Sequence, residues 1–168
     1  FSATFDAFSN QKIILSIAIL ATFFTAWKNK QDDPAPKTTT DYLTAHSWKT
    51  SDMVSNVDID YDKNPNTPDS KDIRAQSKDC AKDDIIVFLP NGTGVSTDAG
   101  LVCYPDDPNT TPFTWTLNGN KIVLTFNQIS YTSEGTIVYI DDNTLKITFS
   151  PDIDNNGVIY SETDTLIK

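Results

Sequence analysis

From residue 41 onward, apolar side chains recur at every second position in short runs broken by turn residues, the period of a half-buried strand rather than of a helix. Phe113, Trp115 and Leu117 alternate with Thr114 and Thr116, and the same rhythm returns in Ile122, Leu124 and Phe126 and in Leu145, Ile147 and Phe149. Runs of this kind predict eight strands, over residues 47–55, 84–90, 92–99, 112–118, 120–127, 134–141, 143–150 and 157–167. Pro90-Asn91-Gly92, Asn118-Gly119-Asn120, Asp141-Asp142-Asn143 and Asp154-Asn155-Asn156-Gly157 separate them and supply the positive-φ positions that tight hairpins need. Residues 40–46 suit one short helical turn capped by Thr40. Consecutive antiparallel strands bury their apolar face and lose their free edges by closing on themselves. The expected fold is therefore all-β, an eight-stranded antiparallel up-and-down barrel, with room inside for side chains or one small ligand. A two-sheet sandwich competes, but it needs crossing connections, and the only long ones here are 56–83 and 100–111.

The chain before residue 41 follows different rules. Lys12 precedes twelve uncharged residues, Ile13 to Phe24, then Thr25-Ala26-Trp27 and a polar stretch from Lys28. The apolar run falls short of the roughly 20 residues that span a bilayer, and a positive residue, a short apolar run and small residues at its end read as an export signal. A buried core helix is the alternative. Phe24-Thr25-Ala26-Trp27 resembles a bacterial lipoprotein signal in which a Cys would follow the small residue; Trp27 stands there, so the chain as written cannot be lipidated at that position. Residues 1–10 read as an upstream extension or fragment edge. Residues 28–40, with Pro34 and Pro36 and no large apolar side chain, read as a disordered tether. The expected division is thus 1–27 extension and signal, 28–40 tether, 41–168 barrel.

Composition sharpens the fold class and narrows the partners. Of 23 acidic residues, 21 are Asp. Asp bonds its own backbone in turns and caps, whereas Glu favours helices, so the excess marks a barrel with many turns rather than a helical bundle. A net charge of −10, with no basic stretch, argues against nucleic acid as partner.

Candidate chemistry is sparse. Cys80 and Cys103, 23 residues apart, read as a disulfide in an exported chain, with two free thiols as the alternative. Asp58, Asp60, Asp62 and Asp69, with Asn64 and Asn66 between, have the spacing of calcium ligands in an EF-hand loop. Lys63 occupies the glycine position, however, and no helices flank the loop, so a solvated loop is the simpler reading and no cofactor is expected. The start of that motif recurs at Asp152-Ile153-Asp154, where a hairpin turn explains it as well. His46 is the single histidine and no Gly-flanked serine elbow occurs, so no nucleophilic triad can be assembled and an enzyme is not expected. Neighbouring acids such as Asp83 and Asp84 point to opposite faces of a strand, and Glu134 and Glu162 read as isolated carboxylates without a role.

Leu43-Thr44-Ala45-His46-Ser47-Trp48, Cys80-Ala81-Lys82-Asp83-Asp84, Phe88-Leu89-Pro90-Asn91-Gly92-Thr93-Gly94, Cys103 and Phe113-Thr114-Trp115-Thr116-Leu117 together resemble the lipocalin-like domain of Bacteroidetes envelope lipoproteins. The resemblance implies an up-and-down barrel and an apolar cavity. It also implies export to the periplasm or outer-membrane surface of a Gram-negative cell, with an outer-membrane lipid anchor in relatives. Two functions are then open. The first is a monomeric binding protein that holds a small apolar molecule against Trp48, Phe88, Trp115, Phe126, Tyr139 and Phe149, residues that would equally fill a solid core. The second is an interaction module with a packed barrel that contacts protein or glycan through its acidic loops, where Tyr61 and Tyr104 could stack on sugar.

Overall fold

The computed structural model describes residues 35–103, 108–150 and 160–168. The chain divides into two units, Phe1–Pro36 and Lys37–Lys168. Of the first, only residues 35 and 36 are described, so the expected signal and most of the tether lie outside the described residues, as do Tyr104 and the Asp152–Asp154 motif.

The second unit opens with helix α1 (Thr39–Ala45). Its cap is Thr38, not the expected Thr40. The Thr38 side chain accepts from the Asp41 N–H while the Asp41 carboxylate accepts from the Thr38 N–H, and this reciprocal box selects one threonine from a run of three. Strands β1 (Ser47–Ile59), β2 (Ser70–Asp72), β3 (Ile85–Phe88), β4 (Thr93–Thr97), β5 (Thr110–Asn118), β6 (Lys121–Phe126), β7 (Tyr131–Ile140), β8 (Thr144–Phe149) and β9 (Glu162–Ile167) follow, with a single helical turn α2 (Ile73–Gln76) after β2.

All pairings are antiparallel, and they run β1-β3-β4-β5-β6-β7-β8-β9 with β9 returning to β1, which closes an eight-stranded barrel. Each of the eight expected strands is present. The short β2 is an addition on the outer edge of β1, where it pairs Asp72 with Val54 and Ser70 with Ile59. It occurs because β1 runs to Ile59, four residues past its expected end, and the chain folds back on the extension.

One half of the interior is solid. Leu43, Trp48, Phe88, Phe113, Trp115, Ile122, Leu145 and Leu166 pack into one buried cluster, and Phe88 meets both Phe113 and Trp115 edge to face with ring centres 5.5 and 5.8 Å apart. Gly94 is required there. A Cβ on it would lie 2.2 Å from the Phe113 ring and 2.6 Å from the Val87 carbonyl. The two indoles satisfy their polar ends within the fold, Trp48 Nε1 donating to the Leu43 carbonyl at 2.9 Å and Trp115 Nε1 to the Thr93 carbonyl at 2.9 Å. Helix α1 belongs to this end, together with the tight turns β3–β4, β5–β6 and β7–β8. The connections β1–β3, β4–β5, β6–β7 and β8–β9 all gather at the other end.

Candidate functional site

The open end of the barrel is built differently from the solid one because of β9. Leu166, Asp164 and Glu162 alternate along it, so all three share the inward face. Their ladder partners confirm the direction: Leu166 lies opposite Leu145, Asp164 opposite Ile147 and Met53, and Glu162 opposite Phe149 and Ser55. The inward row of β9 therefore changes from apolar to acidic toward the open end. Glu162 is only 9% exposed and Ser55 only 1%. The carboxyls of Glu162 and Asp164 are hydrogen-bonded to each other, and Oδ1 of Asp164 is buried without a partner.

Burial is the main reason that the Asp164 carboxyl is pushed up to about 8, with the Glu162 and Asp52 charges adding to it. Burial likewise raises Glu162. The nearby Tyr61 phenol is raised by burial and then by the charge of Glu162. Tyr61 is placed by the segment that returns from β1: its N–H donates to Gln76 Oε1 at 2.8 Å, and its hydroxyl lies near Ser77. Ser77 in turn donates to the Ile73 carbonyl at 2.8 Å.

A cleft of about 910 Å³ opens beside this pair, lined by Tyr61, Ile122, Tyr131, Ser133, Phe149 and Glu162 among others. The wall has a reason to part here. β7 pairs with β6 from Tyr131 onward but with β8 only from Gly135, because β8 ends at Phe149. Among the described residues, 131–134 have no ladder partner on the β8 side. Gly135 keeps the wall thin, since a Cβ on it would lie 2.7 Å from both Ile147 and the Phe149 ring.

Residues 24–147 match a family described as a lipocalin-like domain. The chain belongs to that family. No curated protein and no solved structure matches this lipocalin-like chain.

Of the six expected wall residues, only Phe149 lines the cleft. Trp48, Phe88 and Trp115 are core, exposed by 0, 1 and 7%. Phe126 packs against the core and lies tilted against Tyr131, ring centres 6.1 Å apart. Tyr139 corrects the expectation outright: it is half exposed on the outside, and its hydroxyl donates to Asp141 at 2.7 Å. A bulge between Ile137 and Tyr139 inserts Val138 into β7, so both Val138 and Tyr139 face out and the inward row resumes at Ile140.

Cys80 and Cys103 form the expected disulfide, Cα atoms 5.1 Å apart, and tie the loop before β3 to the loop after β4. Beside it the Leu101 N–H donates to Asp83, and the Asp84 carboxyl is pushed up to about 6 by burial and by the charges of Asp98 and Asp83. Asp58, Asp60, Asp62 and Asp69 are not brought together. Asp58 is exposed on β1, and Asp62 turns back to accept from the Asn64 N–H at 3.0 Å. Among the described residues, no group of three or more His, Cys, Asp or Glu side chains is placed to hold a metal ion. His46 lies edge to face with Trp48 and 3.9 Å from Asp142, at the solid end.

The residues that sequence reasoning missed are Glu162 and Asp164. The available signal was their separation by one residue, since acids two apart on a strand share a face while adjacent acids cannot.

Proposed function

We propose that this lipocalin-like chain is an exported binding protein that holds a small organic molecule at the open end of its barrel. The observation that carries this reading is the cleft of about 910 Å³ beside a solid core, a volume within the range of small-molecule sites. The expected apolar ligand is thereby relocated from the aromatic core to the mixed surface formed by Tyr61, Tyr131, Ser133, Phe149 and Glu162. The disulfide supports an oxidising compartment. The apolar run Ile13–Phe24 supports export, and the family resemblance supports the envelope of a Gram-negative cell, with residues 1–27 as extension and signal. The tether runs from 28 and ends before the Thr38 cap rather than at the expected residue 40. We take the protein to act as a monomer that binds through this cleft and performs no chemistry.

Native mass spectrometry of the full chain, produced in an oxidising host, tests the reading. A copurifying organic mass is expected, and Ser133→Phe, which projects a ring into the cleft, should remove it while the far-ultraviolet spectrum is unchanged. A bound mass that survives this substitution, or a bare chain that takes up nothing from a library of small organic compounds, would count against it.

A further inference from the structure

Among the described residues, the open end holds two carboxyls with no positive charge paired to them. Glu162 and Asp164 interact with each other, and among the described residues no Lys, Arg or His forms an ion pair with either. On their face stand the Tyr61 phenol and Ser55, with Tyr131 beyond Tyr61, while Asp52, exposed on the outer face of β1 opposite Thr165, adds its charge from outside. Lys121 and Glu134 also border the cleft, on the opposite side of β6 and β7 from Ile122 and Gly135. Burying acids without a counter-ion is costly, and apolar residues at these positions would continue the core that Leu166 begins. The buried Glu162 nevertheless lines the cleft, and the buried Oδ1 of Asp164 has no hydrogen-bond partner. Aromatic rings line the same cleft, Tyr61, Tyr131 and Phe149, whose faces attract cations as well as apolar groups.

We propose that the cleft receives a small organic cation, an ammonium group on an aromatic body, with Glu162 and Asp164 as its counter-charge and Tyr61, Tyr131 and Phe149 around its ring. This rests on the reading of the cleft as a ligand site. On binding, the proton shared by the two carboxyls leaves to solvent and the ammonium takes its place, so the charge at the site stays balanced.

The test compares three probes of one shape on the full, disulfide-bonded chain by titration calorimetry: tryptamine, the neutral tryptophol and the anionic indole-3-acetate. Tryptamine should bind at least about tenfold more tightly than tryptophol at pH 7. Runs in buffers of different ionisation enthalpy should show release of about one proton per site. In Asp164→Asn and Glu162→Gln the affinity for tryptamine should fall to that for tryptophol, which should itself change little. Equal or tighter binding of tryptophol or indole-3-acetate would overturn the cation while leaving the cleft as a ligand site. Failure of all three probes would overturn it too, and the copurifying mass tested with Ser133→Phe decides the cleft separately.

Discussion

The indole Nε1 of Trp48 donates to the Leu43 carbonyl across 2.9 Å, and both residues are wholly buried. Leu43 lies in the last turn of α1, where carbonyls have no helical partner, so the first strand of the barrel satisfies the end of the helix that precedes it. Trp48→Phe should remove both the bond and part of the packed volume. A loss of about 2–4 kcal/mol in urea unfolding is expected, with early hydrogen exchange in residues 39–45. A loss below about 0.5 kcal/mol would show that the indole only fills space.

Reduction of Cys80–Cys103 opens a loop of 23 residues, and the chain-entropy relation puts the loss near 3 kcal/mol. Cys80→Ser with Cys103→Ser should lower the unfolding free energy by that amount, read as a lower urea midpoint. The slope with urea should rise, because the unfolded chain without its cross-link exposes more surface. A chain that no longer folds would show that the disulfide organises the open end rather than fastening it.

Much of this architecture is legible in the amino-acid order, and the places where it is not have physical reasons. The turns at Asn91-Gly92 and Asn118-Gly119 are stated by residues that accept positive φ, and the glycines adopt φ of 79° and 63°. Alternation in β5, β6 and β8 assigned their faces correctly, Phe113, Ile122, Leu145 and Ile147 all being buried. Tyr139 went to the wrong face because one inserted residue, Val138, reverses the parity of everything after it. The acid pair stayed hidden because Glu162-Thr163-Asp164-Thr165 has no apolar member to mark its inner side. Only closure of β9 onto β1 and β8 reveals it.

Gly135 sits where β7 crosses the cleft, in contact range of Phe149. A methyl group there must push the Phe149 ring, the one expected aromatic wall residue that does line the site. Gly135→Ala should therefore weaken binding of a cleft probe by about tenfold or more, while stability falls by about 1–3 kcal/mol from overpacking. Tyr139→Ala, on the outer face, should leave binding unchanged, and equal losses from both substitutions would misplace the cleft.

The acid pair also sets the pH dependence of folding. A carboxyl raised to about 8 in the folded chain holds its proton more tightly there than in the unfolded chain. Its contribution is present in full below the ordinary Asp range, declines as pH rises, and is lost by the time pH passes about 8. Glu162 and Asp84, also raised, act in the same direction. Asp41 and Asp141 are held low by their hydrogen bonds and act oppositely, but only near and below pH 4. The urea midpoint should therefore be higher at pH 5 than at pH 8. Asp164→Asn keeps the shape of the protonated acid without its titration. The substitution should flatten most of that decline and raise the midpoint at pH 8 above that of the unaltered chain. A midpoint that rises from pH 5 to 8, or a decline untouched by Asp164→Asn, would show that the pair is ionised and solvated in the folded state.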